Sequence, residues 1–303
     1  MAVDTTAIAV SDLRMRYGTT DVLNGVEFEV ATGEVLAILG PNGAGKTTTV
    51  EILEGFRARS GGRVEVLGVD PAHGDDSWRA RIGMVLQNWN DHGKWRVRTF
   101  LRHIADYYRP YTVPWPVDEL LALVGLEDQA DQRVQRLSGG QRRRLDVAAG
   151  VIGRPGLLFL DEPTTGFDPL ARREFHELIH RMSDLEGTTI VLTTHDLAEA
   201  EKLAGRILIL AGGRIIADGS PDALTRAAEA TAEVRWTQAG QRHVHPGTDA
   251  TSFVRELLST DDGTVTDLEV RRAGLEEAYL TLVEQFEAGE TSAAVTRFTE
   301  ATR

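Results

Sequence analysis

The sequence predicts an α/β fold: a mainly parallel sheet covered by helices on both faces, followed by a small α+β domain. Three observations carry this reading. Short apolar runs of strand type alternate with helical stretches, the pattern of parallel strands joined by crossovers. One run, Leu157-Leu158-Phe159-Leu160, is wholly apolar, as suits a central strand buried on both faces. The composition shifts after Gly219-Ser220-Pro221, beyond which 15 acidic and 8 basic residues accompany weaker strand patterns.

The elements follow in order. Ile8 to Val10, Val26 to Val30 and Val35 to Leu39 read as strands, separated by turns at Gly18, Asn24-Gly25 and Thr32-Gly33. A glycine-rich turn after Leu39 leads into a helix over Lys46 to Glu54 that ends at Gly55. Arg63 to Leu67 and Ile82 to Leu86 read as further strands. From about Asn88 to Ala149 the spacing is helical. Phe100, Ile104 and Tyr107/Tyr108 mark one helix there, and Leu120, Leu121 and Val124 another, with Pro110, Pro114 and Pro116 between them. Strands return at Leu157 to Leu160, Thr189 to Leu192 and Arg206 to Leu210, with a helix such as Leu170 to Ser183 among them. We expect a first domain over residues 5–225, with a helical insertion over about 88–149, and a second over 226–290. The second holds strands near Ala232 to Trp236 and Val265 to Val270 and a closing helix, Leu275 to Phe286. Residues 291–303 are expected to form a flexible tail.

Composition bounds the function. The 303 residues are 42% hydrophobic and 26% charged, values of a globular chain. The net charge of −13 would repel phosphate backbones, so no nucleic-acid partner is expected. The absence of cysteine excludes disulfides, thiol catalysis and cysteine-ligated metal sites. No apolar run approaches the roughly 18 residues that span a bilayer. The N-terminus, with Asp4 and Asp12, lacks the features of a signal peptide. The simplest expectation is a cytoplasmic protein whose membrane role comes through a partner.

Two motifs carry chemistry. Gly40-Pro41-Asn42-Gly43-Ala44-Gly45-Lys46-Thr47 fits G-x-x-x-x-G-K-[ST], after a predicted strand and before a predicted helix. Its glycines let successive N–H groups wrap phosphate oxygens, and the helix N-terminus adds a favourable dipole. In such a cradle Lys46 reaches the β and γ phosphates and the Thr47 hydroxyl ligates Mg²⁺. A chance glycine-rich turn is the alternative, but only 3 lysines occur in the chain, so a chance match is rare. The second motif is Asp161-Glu162 at the end of the apolar run. In open α/β sheets ligands bind at strand C-termini. Asp161 can hold Mg²⁺, and Glu162 can polarise an attacking water.

With Leu137-Ser138-Gly139-Gly140-Gln141 lying between these motifs, the chain resembles the ATP-binding cassette (ABC) ATPases, the nucleotide-binding subunits of ABC transporters. The resemblance covers about residues 5–225 and rests on six motifs in order. It implies a P-loop cassette with a mainly parallel core sheet, an antiparallel N-terminal β-subdomain and a helical insertion. Tyr17 resembles the aromatic residue that stacks on adenine, although it also fits an ordinary turn aromatic. Gln87 resembles the glutamine that senses Mg²⁺ and the attacking water. Gly166-Phe167-Asp168 resembles the loop that crosses the dimer interface, with Phe167 where leucine is commoner. His195 resembles the histidine on the γ-phosphate. Asn42, Gly43, Gly45, Lys46, Thr47 and Thr48 would line the ATP. Ser138, Gly140 and Gln141 would face ATP on a second cassette, with Ser138 also suited to cap the next helix. Glu162, His195, Gln87 and Lys46 would be catalytic, and Thr47, Gln87 and Asp161 would hold Mg²⁺.

The resemblance further implies two cassettes, most simply a homodimer, sandwiching ATP and driving a separate membrane permease from the cytoplasmic face of the membrane. Trp89, Trp95, Phe100, Tyr107 and Tyr108 are candidate permease contacts. The last three also fit as internal packing, so Trp89 and Trp95 are the stronger candidates. Arg142-Arg143-Arg144-Leu145-Asp146 and the tail Gly274-Leu275-Glu276-Glu277-Ala278-Tyr279-Leu280 resemble the daunorubicin-resistance type of exporter ATPase. Export of a hydrophobic compound, drug or lipid is therefore expected. An import ATPase is the alternative. A soluble ABC protein of DNA repair or translation is disfavoured by the short Gln87–Ser138 interval and the single cassette.

Overall fold

The structure, a computed structural model, describes residues 6–85, 92–164, 167–228, 232–238, 240–247, 250–260, 264–271 and 274–288. Its elements are β1 (Thr6–Tyr17), β2 (Thr20–Ala31), β3 (Val35–Leu39), α1 (Lys46–Leu53), β4 (Gly61–Val66), α2 (Asp76–Arg79), β5 (Ile82–Val85), α3 (Val97–Tyr108), α4 (Val117–Leu123), α5 (Gly139–Val151), β6 (Leu157–Asp161), α6 (Pro169–Glu186), β7 (Thr189–Thr194), α7 (Leu197–Leu203), β8 (Arg206–Ala211), β9 (Arg214–Gly219), α8 (Pro221–Ala228), β10 (Ala232–Gln238), β11 (Gln241–Gly247), α9 (Ala250–Thr260), β12 (Val265–Arg271) and α10 (Leu275–Glu287). The chain forms two compact units, residues 1–215 and 216–303.

In the first unit β1 pairs antiparallel with β2 and β4, and a second sheet carries β5-β6-β7-β3-β8 in that order. The pairings β5–β6, β6–β7, β7–β3 and β3–β8 are all parallel. This is the α/β architecture expected. Strands β3 and β7 are buried along nearly their whole length, which is why they read as continuous apolar runs. The inner face of the antiparallel sheet (Ile8, Val10, Leu13, Met15, Leu23, Val26, Phe28, Val30) shares one core with Leu36 and Ile38 of β3 and Ile52 and Leu53 of α1. Truncating Ile38 there would remove about 2–5 kcal/mol.

One expected turn is a strand interior. Asn24-Gly25 lies within β2, where the pairing passes from Leu13↔Val26 to Arg14↔Asn24 and leaves Gly25 as an extra residue. Its φ of +79° is the left-handed conformation that favours glycine. A β-bulge therefore replaces the turn, and it keeps Leu23 and Val26 on the same buried face despite their spacing of three. The stretch expected as an insertion holds α3, α4 and all but the last two residues of α5, which is buried along its second half. No helix among the described residues is long and apolar enough to cross a membrane.

The second unit contains an antiparallel sheet in the order β11-β10-β12. Val234 of β10 is buried, and Trp236 stacks on His243 at 5.2 Å. The two expected strands and the closing helix are present as β10, β12 and α10; β11, α8 and α9 are additional. The expected tail at 291–303 lies outside the described residues.

Candidate functional site

The three adjacent strands β6, β7 and β3 end at one edge of the parallel sheet, where Asp161 pairs with Thr193 and Leu39 with Thr194. Each strand end delivers one part of the site. After β3 the chain turns through Gly40 to Gly45 into α1. Gly40 approaches the backbone of β8 so closely that an added Cβ would lie 2.1 Å from the Leu210 carbonyl oxygen. Gly43 and Gly45 have φ of +81° and +105°. Gly40 and Gly45, the two glycines the motif requires there, leave no room for a side chain, while Gly43 has open space but a φ that favours glycine. Helix α1 starts at Gly45 with no side-chain cap and no acid in its first turn. Its amide donors and the dipole therefore face the loop uncompensated.

Lys46 is only 8% exposed, and its Nζ donates to the carbonyls of Gly40 at 2.7 Å and Pro41 at 3.1 Å. Burial lowers its pKa, and the charges of Glu162 and Asp161 oppose that shift. Asn42, Gly43 and Thr47 are exposed on the rim and Thr48 is half-buried. The Thr49 hydroxyl donates to Gly45 O at 2.9 Å, tying the first turn to the loop.

At the end of β6 the Asp161 carboxylate accepts from the Thr193 hydroxyl at 2.5 Å. Glu162 sits at φ +42°, a left-handed conformation rare for a residue with a side chain. Such an outlier costs on the order of 1 kcal/mol and persists only where its surroundings hold it. The Glu162 amide donates to Thr193 O at 3.0 Å, and its Oε1 lies 3.2 Å from His195 Nδ1. His195 follows β7 directly and is largely exposed. The sequence reading missed Thr193 and Arg143. Thr193 is one of three threonines in β7, so its type alone did not single it out. Arg143 sits in an arginine run that also fits a solvated helix face, yet it is buried. It donates from Nε to Pro163 O at 2.9 Å and from Nη2 to Asp161 O at 3.0 Å, bracing the strand end from α5.

The Ser138 turn opens α5 with a reciprocal cap. Ser138 Oγ accepts from Gln141 N at 3.2 Å, and Gln141 Oε1 accepts from Ser138 N at 3.0 Å. Ser138, Gly140, Gln141, Phe167 and Asp168 line a common groove of about 300 Å³. Asp168 caps α6 by accepting from Ala171 N at 2.9 Å. Phe167 meets Phe175 edge to face at 5.8 Å, anchoring the loop to the buried side of α6. Tyr17 ends β1, is 40% exposed, and carries the Arg57 guanidinium over its ring at 5.1 Å. Phe100 is fully buried, so it packs the insertion and offers no contact surface. Tyr108 packs on Gly153 and Tyr107 is exposed. Gln87, Trp89 and Gly166 lie outside the described residues.

A family model described as ABC transporter matches residues 23–165. The chain is 42% identical to Nod factor export ATP-binding protein I of Rhizobium meliloti (strain 1021), over 74% of this chain and 67% of that protein. It is 36% identical to daunorubicin resistance ATP-binding protein DrrA2 of Streptomyces coeruleorubidus, over 92% of this chain and 96% of that protein. A solved structure described as the ATP-binding subunit of an ABC transporter superposes with a TM-score of 0.66 at 25% identity, covering 91% of this chain and 99% of its own. The phosphate loop, the acidic strand end and the capped Ser138 turn, set on this sheet, are those of the same family: the chain belongs to the ABC transporter ATP-binding subunits, which hydrolyse ATP.

Proposed function

We propose that this chain works as one of two identical cassettes that close on ATP and drive a separate permease to export a hydrophobic compound, a drug or a lipid, from the cytoplasmic face of the membrane. The observation that carries the catalytic part is the convergence of Lys46, Asp161–Glu162 and His195 at one sheet edge, with Glu162 and His195 in hydrogen-bond reach. Export is supported by the named roles of the relatives, Nod factor export and daunorubicin resistance.

The chain's own groups divide the work. The α1 amides and Lys46 bind the β and γ phosphates, Lys46 exchanging the carbonyls of Gly40 and Pro41 for phosphate oxygen. Glu162 takes the proton of the attacking water. His195, donating from Nδ1 to Glu162 in the tautomer that fits, orients that carboxylate and meets the γ-phosphate. Tyr17 stacks on adenine. Ser138, Gly140 and Gln141 of the second cassette complete the phosphate shell. The donors suit Mg²⁺, because the Thr47 hydroxyl and Asp161 carboxylate are hard oxygens. When bound, Mg²⁺ neutralises charge on the phosphates. We assign the ATPase domain to residues 5–225 and the appended domain to 226–290.

The test is transport. The chain is co-expressed with candidate permeases and inside-out vesicles are prepared. ATP-dependent uptake of daunorubicin or a labelled phospholipid, lost with Glu162→Gln, is the expected result. ATP-driven transport in the opposite sense would replace export by import.

A further inference from the structure

Helix α6 starts directly after Asp168, and α7 starts two residues after His195. Three polar rungs join the facing sides of these helices. Arg172 Nη1 donates to Asp196 Oδ2 at 2.7 Å. His176 Nε2 lies 3.9 Å from Glu199 Oε1. His180 Nε2 lies 3.0 Å from the Lys202 carbonyl oxygen. The α6 members recur every fourth residue and the α7 members every third, so each set forms one stripe and the helices run in the same direction.

The rungs differ in chemistry. Asp196, held by Arg172, also caps α7 through Oδ1 to Glu199 N at 3.1 Å, and its own amide donates to Thr194 Oγ1 at 2.9 Å. Asp196 thus ties the strand end before His195 through its backbone amide and the first turn after it through its carboxylate. The middle rung is buried, with His176 7% and Glu199 2% exposed. Its facing atoms, His176 Nε2 and Glu199 Oε1, make no hydrogen bond. Buried polar atoms left in this way are unfavourable to stability. A rung serving only to hold two helices together would be closed. An open one, with both partners aimed at each other, fits a contact that shortens in another state.

We infer that Arg172, His176 and His180 are positioning residues for His195. The ladder sets the rotation and axial position of α7, and with it the reach of His195, according to where the Asp168 loop holds the start of α6. The middle rung is the adjustable one, closing to a hydrogen bond when that loop and the γ-phosphate are both engaged. The inference rests on the proposed contact of His195 with the γ-phosphate.

The experiment uses the full chain and compares wild type with Arg172→Gln, Arg172→Lys, the apolar pair His176→Phe with Glu199→Leu, and His195→Ala. It reads kcat and KM for ATP, ADP affinity by calorimetry, and thermal stability. Arg172→Gln is expected to lower kcat about fivefold with KM and ADP affinity little changed. Arg172→Lys, which keeps the charge, is expected to recover most of the loss. The apolar pair also removes the Glu199 charge near buried Arg143, so some loss of stability is expected, with ADP affinity kept while kcat falls. Unchanged kcat in Arg172→Gln and in the apolar pair, with His195→Ala impaired, would overturn the ladder and leave the His195 assignment standing. Losses of kcat that Lys does not recover, or that track lost stability and ADP affinity, would reduce the ladder to packing. Turnover unaffected by His195→Ala would remove the assignment itself and the ladder with it.

Discussion

Two glycine-rich turns open helices in this cassette, and they meet the same backbone requirement in opposite ways. Every α-helix starts with amide donors that lack an internal partner. At α1 the chain leaves them open: Gly45 supplies no cap, no acid follows, and Lys46 rests on the loop's own carbonyls. At α5 Ser138 and Gln141 satisfy each other's backbone. The buried charges differ as well. Burial, with Asp161 and Glu51 adding to it, raises the Glu54 carboxyl at the end of α1 to about 8, so it is neutral at pH 7. Helix α5 instead buries Arg143, with Asp146 nearby and the carbonyls of Asp161 and Pro163 accepting from it. The first turn is a receptor ready for an anion. The second is closed on itself, and an incoming phosphate must compete with a cap worth about 1 kcal/mol. In the dimer proposed above, a single chain would therefore offer one finished half-site and one dormant half-site, and a second protomer would bring the dormant half to the nucleotide.

The largest effect expected on this contrast is from Glu162→Gln. Removing the base should lower single-turnover hydrolysis roughly a thousandfold while ATP still binds; a rate near wild type would take Glu162 out of that role. Lys46→Ala breaks the open turn. Turnover should fall about a hundredfold or more, with ATP affinity reduced, and wild-type affinity would disprove the cradle.

Glu54→Gln probes the charge difference between the two helices. The folded-state pKa of Glu54 lies above its unfolded value of 4.5. Its contribution to stability is thus complete below the unfolded value and is lost as pH rises through about 8. Glu54→Gln should flatten the decline in melting temperature across that window and stabilise the fold at pH 8 by up to about 4 kcal/mol. Parallel pH curves for the two proteins would mean that Glu54 is not buried as an acid. The smallest effect is at the closed turn. Ser138→Ala should cost about 1 kcal/mol of stability through the lost cap. Ser138→Asp should regain that stability yet lower turnover further, because it sets a carboxylate against phosphate. Recovery of both would make Ser138 a cap alone.

Legibility in the sequence followed how local each determinant is. The phosphate loop, the apolar strand β6 and its Asp161-Glu162 end are set by contiguous residue types, and they were readable without neighbours. Gly25 misled because Asn-Gly marks a turn, while pairing with β1 made it a bulge. Strand β11, Gln-Arg-His-Val-His-Pro-Gly, lacks apolar alternation and forms through its partner β10. Thr193 and Arg143 gain their meaning from residues about 32 and 18 positions away, so no spacing rule exposed them. The three rungs between α6 and α7 are hidden for the same reason.

The most direct measurement of the central claim is complementation between two inactive chains. A Lys46→Ala chain keeps Ser138, and a Ser138→Arg chain keeps Lys46. Mixed with ATP, random pairing should restore about a quarter of wild-type turnover, because half of the dimers regain one intact composite site of two. Activity no higher than the sum of the separate chains, in mixtures shown by sedimentation to contain the mixed dimer, would contradict a nucleotide shared between protomers.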